Sequence, residues 1–167
     1  ECETMHKIVK RSDKLAFFGV CDSNNSVTYY RMKGFNEIAT QKGPIEYSRQ
    51  YVDEEFEQAD VVGYSPTVSY SFDQFEDNAV HSDLVHIADH ELLGADAVRS
   101  IVMVDVSKKG SDGKCPAIKR DFAVICDSEG DSMDAYTYSG NLKVKGEKVF
   151  GTATSSDDWE TCTFAAE

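Results

Sequence analysis

An antiparallel β-sandwich or partial barrel with one flanking α-helix is the fold this 167-residue sequence predicts. Three observations carry the prediction. Short apolar runs separated by turn clusters recur from end to end, as antiparallel strands and hairpins require. One stretch, 61–75, alternates cleanly: Val68, Tyr70 and Phe72 fall between Thr67, Ser69, Ser71 and Asp73, giving one apolar and one polar face. A single stretch, about 79–93, spaces its apolar residues as a helix does. Packed layers of sheet are the arrangement that buries so many half-apolar strands.

Taken in order, residues 15–21 are apolar, 22–26 (DSNNS) form a turn cluster, and 27–32 is again extended, which reads as a β-hairpin. From about 36 to 60 the pattern has no clean period. That stretch holds Gly43 and Pro44, the aromatic residues Tyr47, Tyr51 and Phe56, and an acidic run of Asp53, Glu54, Glu55 and Glu57. A long irregular loop is expected there, and its aromatic residues favour an interaction arm over a passive connector. Pro66 cannot donate to a ladder, so it marks an edge or a break within 61–75. In the helix, Asp77 or Asn78 can cap the start and Gly94 suits the C′ position. Val80, Leu84, Ile87, Ala88 and Leu92 share one face, with Glu91 intruding near the end, so the helix should lean on a sheet without deep burial. Residues 100–106, the turn 110–113 and 117–126 form a further hairpin. Extended pieces at 135–138, 142–145 and 149–154 follow, punctuated by Gly140, Gly146 and Gly151.

At 18.6 kDa the chain has room for one core, so a single domain over 15–167 behind an N-terminal arm, 1–14, is expected. No apolar run approaches the ~20 residues that span a bilayer. The opening ECETMHKIVKRS has no hydrophobic stretch after its basic residues, so it does not read as a secretory signal, and a soluble intracellular product is expected. Thirty acidic residues against 17 basic ones give a formal net charge of −13. The Lys and Arg residues are scattered, so tight nucleic-acid binding is disfavoured, since phosphates call for a basic stripe. The five cysteines (Cys2, Cys21, Cys115, Cys126, Cys162) are odd in number and include no C-x-x-C pair, so reduced thiols are expected. Cys126, in an apolar run, is expected to pack as a small hydrophobe.

Catalytic patterns are sparse. Asp83, His86 and His90 fall on one helix face at spacings of three and four, a set that could hold zinc. HIADH lacks the glutamate of H-E-x-x-H, and Ser82 and Asp89 nearby favour a solvated polar face. Asp53, Glu54 and Glu55 lack the alternating ligands and glycine of a calcium loop. No G-x-S-x-G, P-loop or G-x-G-x-x-G occurs. No catalytic residue, metal or cofactor is therefore expected. A small metal-dependent enzyme built on the Asp/His/His set, or a free β-sandwich binding module using its tyrosines, stands as the alternative.

Four stretches carry a resemblance in order and spacing. They are EYSRQYVDE at 46–54 followed by DVVGYSPTVSYSF at 60–72; the helix followed by LGADAVRSIVMVD at 93–105; AIKRDFAV at 117–124; and YSGNL at 138–142 running into VFGTAT at 149–154. Over about 17–164 the chain resembles the major tail (tail tube) proteins of long-tailed phages of Gram-positive bacteria.

The resemblance implies a phage tail tube fold and a structural subunit. Such subunits form hexameric rings that stack into a hollow tube, with tail-initiator, tail-terminator and tape measure proteins as partners. Genomic DNA passes through the lumen without specific binding, and no membrane is involved. The place of such a protein is the virion tail, after assembly in the host cytoplasm. A phage-tail-like bacteriocin would share the physics. By position, the stretch 36–60 corresponds to the family's long loop, so Tyr47, Tyr51, Asp53, Phe56, Tyr64 and Pro66 are the expected contacts between subunits. A carboxylate-rich lumen would repel phosphates over about 8 Å.

Overall fold

The computed structural model describes residues 7–167. Along the chain these form β1 (Lys14–Cys21), β2 (Val27–Arg31), β3 (Phe35–Gln41), β4 (Pro44–Arg49), β5 (Gln58–Tyr64), β6 (Thr67–Asp73), α1 (Ala79–Asp89), β7 (Val98–Asp105), β8 (Cys115–Glu129), β9 (Thr137–Val144), β10 (Val149–Thr154) and β11 (Thr161–Ala166). The fold divides into two compact units. Among the described residues, one comprises 7–33 with Arg99–Asp121 and Gly146–Glu167; the other comprises Gly34–Val98 and Phe122–Lys145. The mainly antiparallel β architecture with one helix is the class the sequence predicts.

In the first unit the strands run β10-β11-β2-β1-β7-β8, and β8 pairs again with β10 through Cys115–Ala153 and Lys119–Val149, so the circuit closes. Closure leaves no open edge among these strands. The β1–β2 hairpin forms where expected. Its turn is held by the Asp22 carboxylate, which accepts from the Asn24 and Ser26 amides at 2.9 Å each, with Asn25 in the left-handed region. Leu15, Phe17, Val102, Val104, Cys115, Ala117, Ala153 and Cys162 fill the core. The Trp159 ring lies against Phe17 at 6.1 Å.

The last strand, β11, has no counterpart in the sequence reading. TCTFAA is short and weakly apolar, and its position is set by the turn before it. The Asp157 carboxylate accepts from the Thr161 hydroxyl at 2.6 Å and amide at 3.1 Å, and from the Ser155 hydroxyl at 2.8 Å. These bonds, the Thr161 hydroxyl first, hold its carboxyl down at about 2. Asp105 is held similarly at about 2, first by the Lys14 ammonium at 2.7 Å and then by the Ser107 hydroxyl at 2.5 Å.

In the second unit the sheet order is β8-β9-β6-β3, all antiparallel, with β3 at the edge. Val68, Tyr70 and Phe72 are buried while their neighbours on β6 are not, as the alternation requires. The pieces expected at 135–138 and 142–145 join into one strand, β9, with Gly140 inside it. A Cβ there would lie 2.2 Å from the Ile125 carbonyl oxygen and 2.8 Å from the Tyr70 hydroxyl, so only glycine admits this close approach.

Asn78 caps α1, its side chain accepting from the Val80 and His81 amides at 3.0 and 3.2 Å. The helix ends earlier than Gly94. His90 is the C-cap, and Glu91 takes the left-handed C′ position at φ 48°. The Leu92 amide reaches the Ile87 carbonyl and the Glu91 amide the Ala88 carbonyl, each at 3.2 Å, which together make a Schellman motif with Glu where Gly is usual. Leu92 is therefore beyond the helix. The helix is buried more deeply than expected, because Glu91 lies past its end and does not interrupt the stripe: His81 joins Val80, Leu84 and Ile87 on a fully buried face. Its ring stacks on Phe72 at 4.4 Å, and its Nδ1 accepts the Phe75 amide at 3.1 Å. A histidine hidden in an apolar stripe has no periodic signal to reveal it.

The stretch 36–60, expected as an irregular loop, instead contains β3, β4 and the start of β5. Four of the seven residues of β3 are polar and its register shifts between Phe35 and Glu37, which obscures its period. Cys126 also departs from expectation: it is exposed, with the Tyr70 hydroxyl 3.6 Å from its sulfur. Its thiol is raised above the ordinary value, chiefly by local desolvation.

Candidate functional site: an exposed two-stranded arm

Strands β3 and β6 pair from Phe35–Phe72 to Gln41–Thr67, and β4 and β5 continue the same hairpin from Pro44–Tyr64 to Arg49–Gln58. Between the two halves the backbone breaks at facing points. Gly43 takes φ 54°, and its carbonyl accepts the Ser65 amide at 2.8 Å. A Cβ on Gly43 would lie 2.4 Å from the Ser65 carbonyl oxygen, so this junction requires glycine. Pro44 and Pro66 flank it and lack the amides that would extend the ladder. The six residues of β4 give the arm a reach of about 20 Å.

β4 and β5 form a sheet of two strands and nothing more. Cross-strand pairing sets Ile45, Tyr47 and Arg49 on one face with Gln58 and Asp60; Glu46, Ser48, Ala59 and Val61 share the other. Nearly every residue is exposed, including Ile45, Tyr47, Val61, Val62 and Tyr64. The guanidinium of Arg49 lies 5.5 Å from the Tyr47 ring centre and 5.8 Å from that of Tyr51, and Nη1 is 3.0 Å from the Asp60 carboxylate. Such cation–π contacts keep the two tyrosines spread along the ribbon.

The tip holds itself in shape. Gln50 donates to the Glu54 carbonyl at 3.0 Å, Gln58 donates to the Glu54 carboxylate at 3.0 and 3.1 Å, and the Glu54 amide donates to the Tyr51 carbonyl at 3.0 Å. Phe56 stands outward at 80% exposure and Val52 is fully exposed, so the apolar surface of the tip is not folded back onto the arm. A two-stranded hairpin is marginal in water on its own. This one presents open edges and apolar residues on both faces, the features of surfaces that pair with other chains.

Of the six expected contact residues, Tyr47, Tyr51, Asp53, Phe56 and Tyr64 lie exposed on this arm. Pro66 is buried at its base and cannot offer its ring to a partner. Ile45, Val61, Val62 and Arg49 belong to the same arm, on one face or the other, and escaped the sequence reading. A strand whose two faces are both exposed has no alternation to detect.

The Asp83, His86 and His90 set does not assemble into a metal centre. Among the described residues no three His, Cys, Asp or Glu side chains converge to hold an ion. The rings of His86 and His90 pack at 4.2 Å, and Nδ1 of His90 donates to the His86 carbonyl at 3.1 Å, serving the helix end.

No family model matches the sequence, and no curated protein sequence matches it. Solved structures do match in fold. The tail of an empty gene transfer agent particle, refined helically with C6 symmetry, superposes with a TM-score of 0.59 at 10% identity, covering 84% of this chain and 97% of that one. A chain of the native gene transfer agent virion superposes with a TM-score of 0.56 at 12% identity, over the same shares. The fold of this chain, mainly antiparallel β with a closing circuit of strands and one helix, is thus similar to that of proteins in gene transfer agent particles.

Proposed function

We propose that this chain is the repeating subunit of a phage-like tail tube, assembling as stacked hexameric rings around a conduit for DNA. The observation that carries the reading is the fold shared over 84% of the chain with a protein from a C6-symmetric tail. The arm gives it a physical basis. A ring is the cyclic solution to a heterologous contact, and repeating a contact along the axis gives a stack. An exposed ribbon with apolar faces supplies the surface such contacts need. In finer terms the subunit belongs to a long-tailed phage of a Gram-positive host, as the ordered sequence stretches suggest. It meets tail-initiator, tail-terminator and tape measure proteins in the virion. The net charge of −13 suits a lumen from which phosphates slide away.

Sedimentation of the purified chain across a concentration series tests the reading. Hexamers or larger multiples are expected to grow with concentration. A monomer at every concentration, with preformed rings of a related tail failing to recruit it, would overturn the reading.

A further inference from the structure

Within the second unit, the end of α1 and the C-terminal half of β8 enclose an open cleft of about 480 Å³. Its floor is apolar, with Ile87, Val124 and Tyr138 all buried. The acidic residues Glu91, Asp127 and Glu129 are among those lining it, and no Lys or Arg is. The register shift on β8 between Cys126 and Ser128 leaves Asp127 as the extra residue of a bulge, and bulges commonly re-aim side chains at sites. Negative charge reaches the floor: burial, then Asp89 at the end of α1 and Glu129 of the rim, push the Tyr138 hydroxyl up to about 12.

A cleft with an apolar floor and an anionic rim fits an apolar side chain flanked by cations. Two exposed apolar segments of this chain differ in whether they qualify. The arm tip carries Asp53, Glu54, Glu55 and Glu57 around Val52 and Phe56, and the rim would repel it. The segment before β1 reads Lys7-Ile8-Val9-Lys10. It has no regular secondary structure, and its Ile8 is 83% exposed and Val9 52% exposed between two exposed lysines. Extended, it spans about 10 Å, so both ammonium groups can reach the rim while one aliphatic side chain enters.

We infer that this cleft is the docking site for the Lys7–Lys10 segment of a second copy of the chain, Ile8 entering against Ile87 and Tyr138 and the lysines meeting Glu91, Asp127 and Glu129. The inference rests on the assembly reading and adds a second, electrostatic contact separate from the arm.

The test uses a fluorescent peptide of residues 7–12 (KIVKRS) titrated into the full chain at low salt, read by anisotropy. Binding is expected to weaken about tenfold or more with Asp127→Lys/Glu129→Lys, and similarly for a peptide carrying Ile8→Asp. A companion measurement mixes isotopically labelled and unlabelled Ile8→Cys chains, with Cys2 and Cys21 replaced by Ser, under mild oxidation. A disulfide between the introduced thiol and Cys126 of the other copy is expected in peptide maps. Peptide binding unaffected by either change, a cross-link confined within single chains, or preferential binding of an arm-tip peptide (residues 50–58) would overturn the inference. Rings that form while the cleft ignores the peptide would sink this contact alone. Peptide binding and inter-copy cross-linking without rings would instead sink the assembly reading.

Discussion

The closed strand circuit and the two-stranded arm are made from the same kinds of residues and end in opposite states. In the circuit, β1 is buried along five consecutive positions, 15–19, and each strand has a partner on both sides. In the arm, both faces of β4 and β5 stand in solvent, with aromatic and aliphatic side chains on display. The difference separates residues that make the fold stable from residues left over for something else. Substitutions should therefore fall into two groups, one read by denaturation and the other by assembly.

The largest effect on stability belongs to the circuit. Phe17→Ala should cost about 3–5 kcal/mol, because Phe17 is fully buried beside Val102 and Trp159. Chemical denaturation measures it, and a loss below about 1 kcal/mol would mean that Phe17 does not sit in the core. Gly43→Val should come next, at about 1–3 kcal/mol, since the new side chain meets the Ser65 carbonyl in a left-handed backbone. Its effect should be confined to the arm, visible as lost amide protection in hydrogen exchange over β4 and β5 with the circuit unchanged.

Smaller and opposite in sign is Glu91→Gly. Glu91 occupies the C′ position at φ 48°, so glycine should stabilise the chain by about 1 kcal/mol in thermal unfolding.

Asp105 gives the circuit a pH signature. Its folded carboxyl sits at about 2 against an ordinary 3.8, so folding favours the ionised form. The contribution is complete above about pH 4 and is lost as pH falls towards 2. Asp105→Asn should cost about 1 kcal/mol at neutral pH, the half-exposed Lys14 partner limiting it, and almost nothing at pH 2. A difference that grows on acidification would contradict the assignment.

The smallest effect on stability, within about 0.5 kcal/mol, should come from Tyr51→Ala/Phe56→Ala at the arm tip. The same pair should remove most of the assembly. Intact assembly with both aromatics gone would place the contact elsewhere.

The comparison also explains what could be read in the sequence. Where one face is buried, the pattern speaks: β6 alternates through Val68, Tyr70 and Phe72, and the β1–β2 hairpin is bounded by its Asp22 turn. Where no face is buried, it falls silent. Within 36–60, β4 and the start of β5 show no period because they have no interior in the isolated chain, and periodicity records interiors. The aromatic residues marked the region as unusual, yet Arg49, Ile45 and Val61 joined it only through cross-strand register. The helix end was misplaced for a related reason. A glycine at 94 was the expected stop, and a local Schellman motif closed the helix earlier at a residue type that seldom does so. Strand β11 hung on side-chain bonds from Asp157, which no hydrophobic pattern encodes.

Electron microscopy of the purified chain, carried to a symmetric reconstruction, tests the central claim most directly. Sixfold rings or tubes are expected, with density for β4, β5 and the Tyr51–Phe56 tip seated against a neighbouring subunit. Rings in which that arm stands free in solvent, or particles that stay monomeric at every concentration, would contradict it.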